Sequence, residues 1–175
     1  KEVLQWCETL GAAFIKAWMQ RVPLVDFVEK VCDCGEGFMG YRQWAIAFKE
    51  IYNRFSDRVS QLREEKFATK SAPTKLSPEE AGRAVAAICR FYLGRAMTVY
   101  EQTITRDPVA KRPDTIDTVR DMFNDVMECV QLVNQQEVTV KEEMYWVIYN
   151  ASLIAMRMAR FLRLQGFGSV CVKPL

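Results

Sequence analysis

The sequence contains no histidine. That absence excludes Ser-His-Asp and Cys-His catalysis, histidine-ligated haem and every zinc site that uses an imidazole. It also removes the side chain most used for acid–base work near neutral pH. No apolar run reaches the ~18–20 residues that a membrane span needs, so no membrane partner is expected. An excess of one charge is missing too. The 24 Lys and Arg against 22 Asp and Glu leave a net charge of +2. That balance is wrong for a general nucleic-acid binder. Strand signals are equally scarce: no segment alternates apolar and polar residues between hairpin turns. The start, Lys1-Glu2-Val3-Leu4-Gln5, carries a charge pair and no signal-peptide core. It opens on Lys1 rather than Met, as a fragment, a processed product or a chain lacking its start would.

What the sequence does have is helical periodicity. Half of its 175 residues are hydrophobic, which is enough for a real core without staples. Val3, Trp6, Cys7, Leu10, Phe14 and Trp18 recur at helical steps and predict a helix over 2–21. Pro23 interrupts, and a short helical segment spans 24–31. Cys32-Asp33-Cys34-Gly35-Glu36-Gly37 then reads as a turn. Tyr41, Trp44, Phe48, Ile51, Tyr52 and Phe55 give one apolar face to a helix over 38–62. Residues 63–77 read as a mobile linker. Ser77-Pro78-Glu79-Glu80 is a capping box, opening a helix over 78–103. A second mobile loop spans 105–114. Asp114 or Thr115 caps a helix over 115–134. Thr139 with Glu142 is a further capping box before a last helix over 140–165, with Gly166 at its C′ position. That helix is apolar around much of its circumference, which predicts packing on several sides. The expected fold class is all-α: an antiparallel helical array with about five long helices and one or two short ones. It is tetratricopeptide-like, although the full repeat of about 34 residues is not visible. Residues 1–175 are expected to form one helical domain.

Few constellations carry chemistry. Six cysteines are spread through the chain, in the pattern of a reduced cytoplasmic protein rather than a disulfide scaffold. Cys32-x-Cys34 offers zinc two ligands where four are needed. Gly35–Gly40 lacks the strand before it and the Gly-Lys-Ser/Thr of a phosphate loop. No cofactor and no metal are therefore expected. Glu142 and Glu143 open the last helix, where its dipole favours anions. Arg157, Arg160 and Arg163 recur at steps of three on one side of that helix. They suit either a solvated C-terminal face or an acidic partner. Glu142, Trp146 and Asn150 stand at i, i+4 and i+8, so one unbroken helix would place them on one face. That face is expected to dock onto another helix, burying Trp146 and giving Asn150 a hydrogen-bond partner.

Two stretches resemble a known family. The first is Gly35-Glu36, Trp44, Ala47 and Tyr52-Asn53-Arg54-Phe55. The second is Glu142, Trp146, Asn150-Ala151-Ser152, Arg160-Phe161-Leu162 and Gly166, with a looser likeness over 84–100. Together they resemble the N-terminal region of the cilia- and flagella-associated protein fifty-four family. The sequence departs at Asn150-Ala151-Ser152, where the family tends to show Asn-Gly-Thr. The resemblance implies the N-terminal part of a very large helical-repeat protein. It implies a scaffold in a projection of the central microtubule pair of the motile-cilium axoneme. Other central-apparatus proteins are the implied partners, with calmodulin as a neighbour. The family supplies no catalytic residues.

The function expected is thus a non-enzymatic scaffold in the cytoskeleton of the cilium, needed for assembly of its neighbours and for motility. If further helices follow, an exposed apolar terminal face is expected. One alternative is a free-standing soluble adaptor binding an acidic helix through Arg157, Arg160 and Arg163. Another is a small helical enzyme using carboxylates such as Glu142 and Glu143.

Overall fold

The computed structural model describes residues 21–68 and 77–167, and every described element is helical. Helix α1 spans Leu24–Gly40. After a turn, α2 (Trp44–Ile46) widens into π-helical turns over Ala47–Tyr52. Helix α3 (Ser56–Arg63) likewise widens over Glu64–Ala68. Four helices follow: α4 (Pro78–Arg106), α5 (Pro113–Asn134), α6 (Val138–Glu143) and α7 (Tyr145–Leu164). The helix expected over 2–21 lies, but for Arg21, outside the described residues.

Helix α4 is the axis. It touches α1, α2, α3, α5, α6 and α7. Gly82, Ala84, Ala87, Gly94 and Ala96 are buried along it, between Val85, Ile88, Phe91 and Leu93. Small residues let neighbouring backbones come close, so this helix is buried on several sides with modest hydropathy. Helix α5 runs antiparallel to α4. Arg95 pairs with Asp125, and Arg106 pairs with Asp114. Helix α1 runs parallel to α4. Arg83 reaches Asp26 and Glu29 at 2.8 and 2.7 Å, and Arg90 reaches Asp33 and Glu36 at 3.0 and 2.8 Å. Exposed pairs contribute little energy singly. Their seven-residue repeat on both helices matches the parallel register.

Several sequence expectations need correction. Residues 32–37 are not a turn but the middle of α1. Gly35 is there because Tyr52 lies against it: a Cβ would stand 2.5 Å from the Tyr52 hydroxyl. The chain instead reverses at Tyr41–Gln43, where Arg42 takes φ 57°. That turn and the π-helical turns break the single helix expected over 38–62. The linker expected over 63–77 is helical as far as Ala68. Phe67 packs on the core, and Arg63 bonds Glu128 at 2.8 Å. Residues 69–76 lie outside the described set.

The loop expected over 105–114 shrinks to 107–112 and is tied by one carboxylate. Asp107 accepts the backbone N–H groups of Lys111 and Arg112 at 3.0 and 2.9 Å, and the Thr115 hydroxyl at 2.8 Å. These bonds, that from the Arg112 N–H first, hold its pKa below the usual carboxylate range. Neither Asp114 nor Thr115 caps α5. Pro113 is its first residue and Arg112 the N-cap, so Asp107 does that work from six residues upstream.

Two terminal signals are present as expected. Ser77 Oγ accepts the Glu80 N–H at 3.2 Å, and the Glu80 carboxylate accepts the Ser77 N–H at 3.1 Å. At the other end Gly166 has φ 83°. Its N–H bonds the Arg163 carbonyl, and the Phe167 N–H bonds that of Leu162, which is a Schellman ending. The capping box at Thr139 does not form. Helix α6 begins at Val138, so Thr139 falls within its first turn. At Met144 the backbone leaves helical geometry, with φ −98° and ψ 8°. The last helix is thus two.

Candidate interaction surface

Helix α7 is built from two unlike faces. With ~3.6 residues per turn, Val147, Ala151, Met158 and Leu162 fall on one side, and all four are fully buried. Phe161 meets Tyr100 edge-on at 6.2 Å. On the opposite side stand Tyr145, Tyr149, Leu153 and Met156, with exposures of 66, 64, 44 and 69%. The helix expected to be packed on several sides is therefore packed on one. Periodicity counts apolar residues but does not say how many neighbours surround a helix. Here α4 takes the enclosed position.

The sequence-selected residues separate on the structure. Glu142 is exposed on α6, across the Met144 break from Trp146 and Asn150. The three do not share one unbroken helix. Trp146 remains 38% exposed, so the expectation of full burial does not hold. With Asn150 it lines a groove of about 150 Å³ beside Met39 and Leu93. Asn150 is open to solvent, so water can take the place of the hydrogen-bond partner that burial would have required. Glu143 is exposed beside Glu142.

The three arginines also part company. Arg157 is engaged within the fold. It bonds Glu101 at 2.5 Å and lies 5.8 Å from the Tyr100 ring centre. The Tyr100 hydroxyl donates to the Arg157 carbonyl at 3.3 Å. Burial first, then Glu101, raises the Tyr100 pKa against the opposing pull of Arg157. Arg160 and Arg163 are exposed and make no ion pair among the described residues. They continue the side that carries Tyr145, Tyr149 and Met156. Sequence reasoning missed that stripe, yet a signal was present. Charged residues mark the solvent side of a helix, and these two share it with the aromatic rings.

Elsewhere the structure offers little chemistry. Cys32 sits in the core and Cys34 outside it. Residues two apart on a helix do not face each other, so the pair cannot close on one ion. Burial pushes the Cys32 thiol up to about 12. Among the described residues no group of three or more Cys, Asp or Glu is placed to hold a metal ion. An open groove of about 590 Å³ runs between Trp44, Phe48, Gln102 and Arg106. Of the charged groups that line it, Arg106 and Asp114 pair with each other at 3.0 Å, and Arg42 stands at its rim. Among the described residues no helix is long and apolar enough to cross a membrane.

The class that the described residues define is an all-helical protein with an enclosed central helix and a bare face on α7. A sequence profile described as Cilia- and flagella-associated protein 54 matches residues 5–172. The chain belongs to that family, which gives it a cilium-associated role. Neither the curated proteins nor the solved structures gave a match.

Proposed function

We propose that this chain is a structural scaffold module of the motile-cilium axoneme, in a projection of the central apparatus. Its helices form a tetratricopeptide-like array that continues into further helices of a longer protein. Its partners are other central-apparatus proteins, with calmodulin among the neighbours, and its work is to hold them in place for ciliary motility. Membership of a family of ciliary proteins carries this reading. The bare stripe of α7 supports it, because an array leaves one helix face open at each end until the next element covers it. Large contiguous apolar patches on a surface mark interaction sites.

The test is in ciliated cells. The full-length protein carrying this domain is tagged and located by immunoelectron tomography, and its gene is then inactivated. The expected result is label on one central-pair projection, and loss of that projection with impaired beating after inactivation. Label on outer doublets or in the cell body, with intact projections in the null cells, contradicts it.

A further inference from the structure

The bare face of α7 has a direction. Its N-terminal part carries Tyr145, Tyr149, Leu153 and Met156, which span about three helical turns, or roughly 17 Å. Its C-terminal part carries Arg160 and Arg163, both exposed and without an ion pair among the described residues. No Asp or Glu occurs anywhere in α7. Tyr149, Met156 and Arg163 are seven residues apart, and Leu153 and Arg160 flank them. A seven-residue repeat is the spacing that seats a second helix alongside the first.

From this we infer that the outer face of α7 is a docking seam for an amphipathic partner helix with acidic residues in its first turn, lying antiparallel to α7. The apolar stripe of the partner covers Tyr145, Tyr149, Leu153 and Met156. Its first turn lies over Arg160 and Arg163. Antiparallel alignment follows from two effects that agree. Carboxylates are favoured at the N-terminus of their own helix, and that positive end then meets the negative end of α7. A parallel partner would bring its acidic turn beside Tyr145 and leave both arginines unanswered. Arg157 is outside the seam, because Glu101 already holds it. The seam deepens the scaffold role proposed above by naming the kind of helix it receives, and it can be tested without any cilium.

The probes are designed helical peptides of three heptads with a leucine seam. One carries Glu in its first turn, one carries Glu in its last turn, and one carries Lys in its first turn. Binding to the full 175-residue chain is measured by fluorescence anisotropy, together with its mass by sedimentation. The first-turn Glu peptide is expected to bind best, and more weakly as salt rises. Arg160→Glu with Arg163→Glu should weaken it by at least about tenfold and make the Lys peptide the better ligand. Met156→Glu should abolish binding while circular dichroism and Tm stay unchanged, since the side chain is 69% exposed.

Equal binding of all three peptides, or indifference to the charge reversal, overturns the acidic antiparallel partner. Failure of every peptide also overturns it, including the case in which the chain's own N-terminal segment occupies the face. Self-association abolished by Met156→Glu overturns it in favour of a second copy. A positive result with no label in the axoneme would leave the seam standing and remove the ciliary scaffold.

Discussion

Alanine in place of Gly94 should destabilise the protein, although α4 would gain helix propensity. Tyr52 is fully buried, and its phenol lies between Gly35 of α1 and Gly94 of α4. A Cβ on Gly94 would run into the hydroxyl and stand 2.6 Å from Cζ and 2.9 Å from Cε1. The ring cannot retreat, because Gly35 meets the same atoms from the other side. Phe91 fixes a further edge at 5.3 Å. Replacing Gly by Ala inside a helix is normally worth about 1 kcal/mol in favour of the helix. Overpacking costs about 1–3 kcal/mol, and the double clamp points to the upper half. The net expectation is a loss of about 1–2 kcal/mol in urea unfolding. Leucine at Tyr52 lacks Cζ and the hydroxyl, the atoms that collide. In a Tyr52→Leu background Gly94→Ala should therefore be neutral or mildly stabilising. The cycle should give a coupling of at least about 1 kcal/mol. Gly37→Ala is the control, since nothing lies within 4 Å of its Cβ. It should stabilise by several tenths to about 1 kcal/mol. A gain in stability from Gly94→Ala alone, or an equal cost in both backgrounds, would refute the clamp.

Three further outcomes follow from the packing. Leu162→Ala should cost ~2–4 kcal/mol, whereas Trp146→Ala, only partly covered, should cost about 1 kcal/mol; comparable losses in chemical unfolding would contradict the two-faced α7. Arg95→Met should cost about 2–3 kcal/mol, because it strands a half-buried carboxylate. Asp125 bonds Arg95 at 2.5 and 3.2 Å, yet burial outweighs that attraction and holds its pKa above the ordinary carboxylate value. Adding Asp125→Leu should recover most of the loss, and no recovery would show that Arg95 matters instead for its contact with the Tyr92 ring, whose centre lies 5.1 Å away. The third outcome depends on pH. Asp107 is more acidic folded than unfolded, so its contribution is present above the unfolded carboxylate value of about 3.9 and fades as pH falls through the folded one. Asp107→Asn should thus lower Tm at pH 7, and the gap should close in acid; a gap of constant size would refute the sign.

The helical class, the Ser77 capping box and the Gly166 ending were legible because each is decided by residues within one or two turns. Gly35 was misread because local rules give glycine one meaning, the freedom to turn. Its role here, room for a ring seventeen positions later in the chain, is invisible without the partner. The loop at Asp107 was legible as a loop but not as a fixed one, since Asp-Pro reads as a break and says nothing of Thr115. The inversion of α4 and α7 has the same root. Large apolar residues were taken as the mark of enclosure, but close contact is made by small ones, and the bulky side chains of α7 were free to point elsewhere. Of the candidate site, Arg160 and Arg163 were found, while the stripe that gives them meaning was assigned to the core.

The two faces of α7 make its functional and structural roles separable. Val147, Ala151, Met158, Phe161 and Leu162 already fasten the helix to the core. Tyr145, Tyr149, Leu153 and Met156 add less to that attachment, since stabilisation scales with apolar area removed from water on folding and much of theirs stays exposed. Their hydrophobic free energy is therefore still available to whatever covers them. A partner that buries these side chains stabilises the complex and not the monomer, so it should raise Tm in proportion to its occupancy of the folded state. Substitutions on this face should leave the free protein unaltered and cancel that rise. Substitutions on the inner face should lower Tm with and without partner alike. A variant at Tyr149 or Met156 that lowered the stability of the free chain as much as one at Leu162 would mean that the outer face is part of the fold after all.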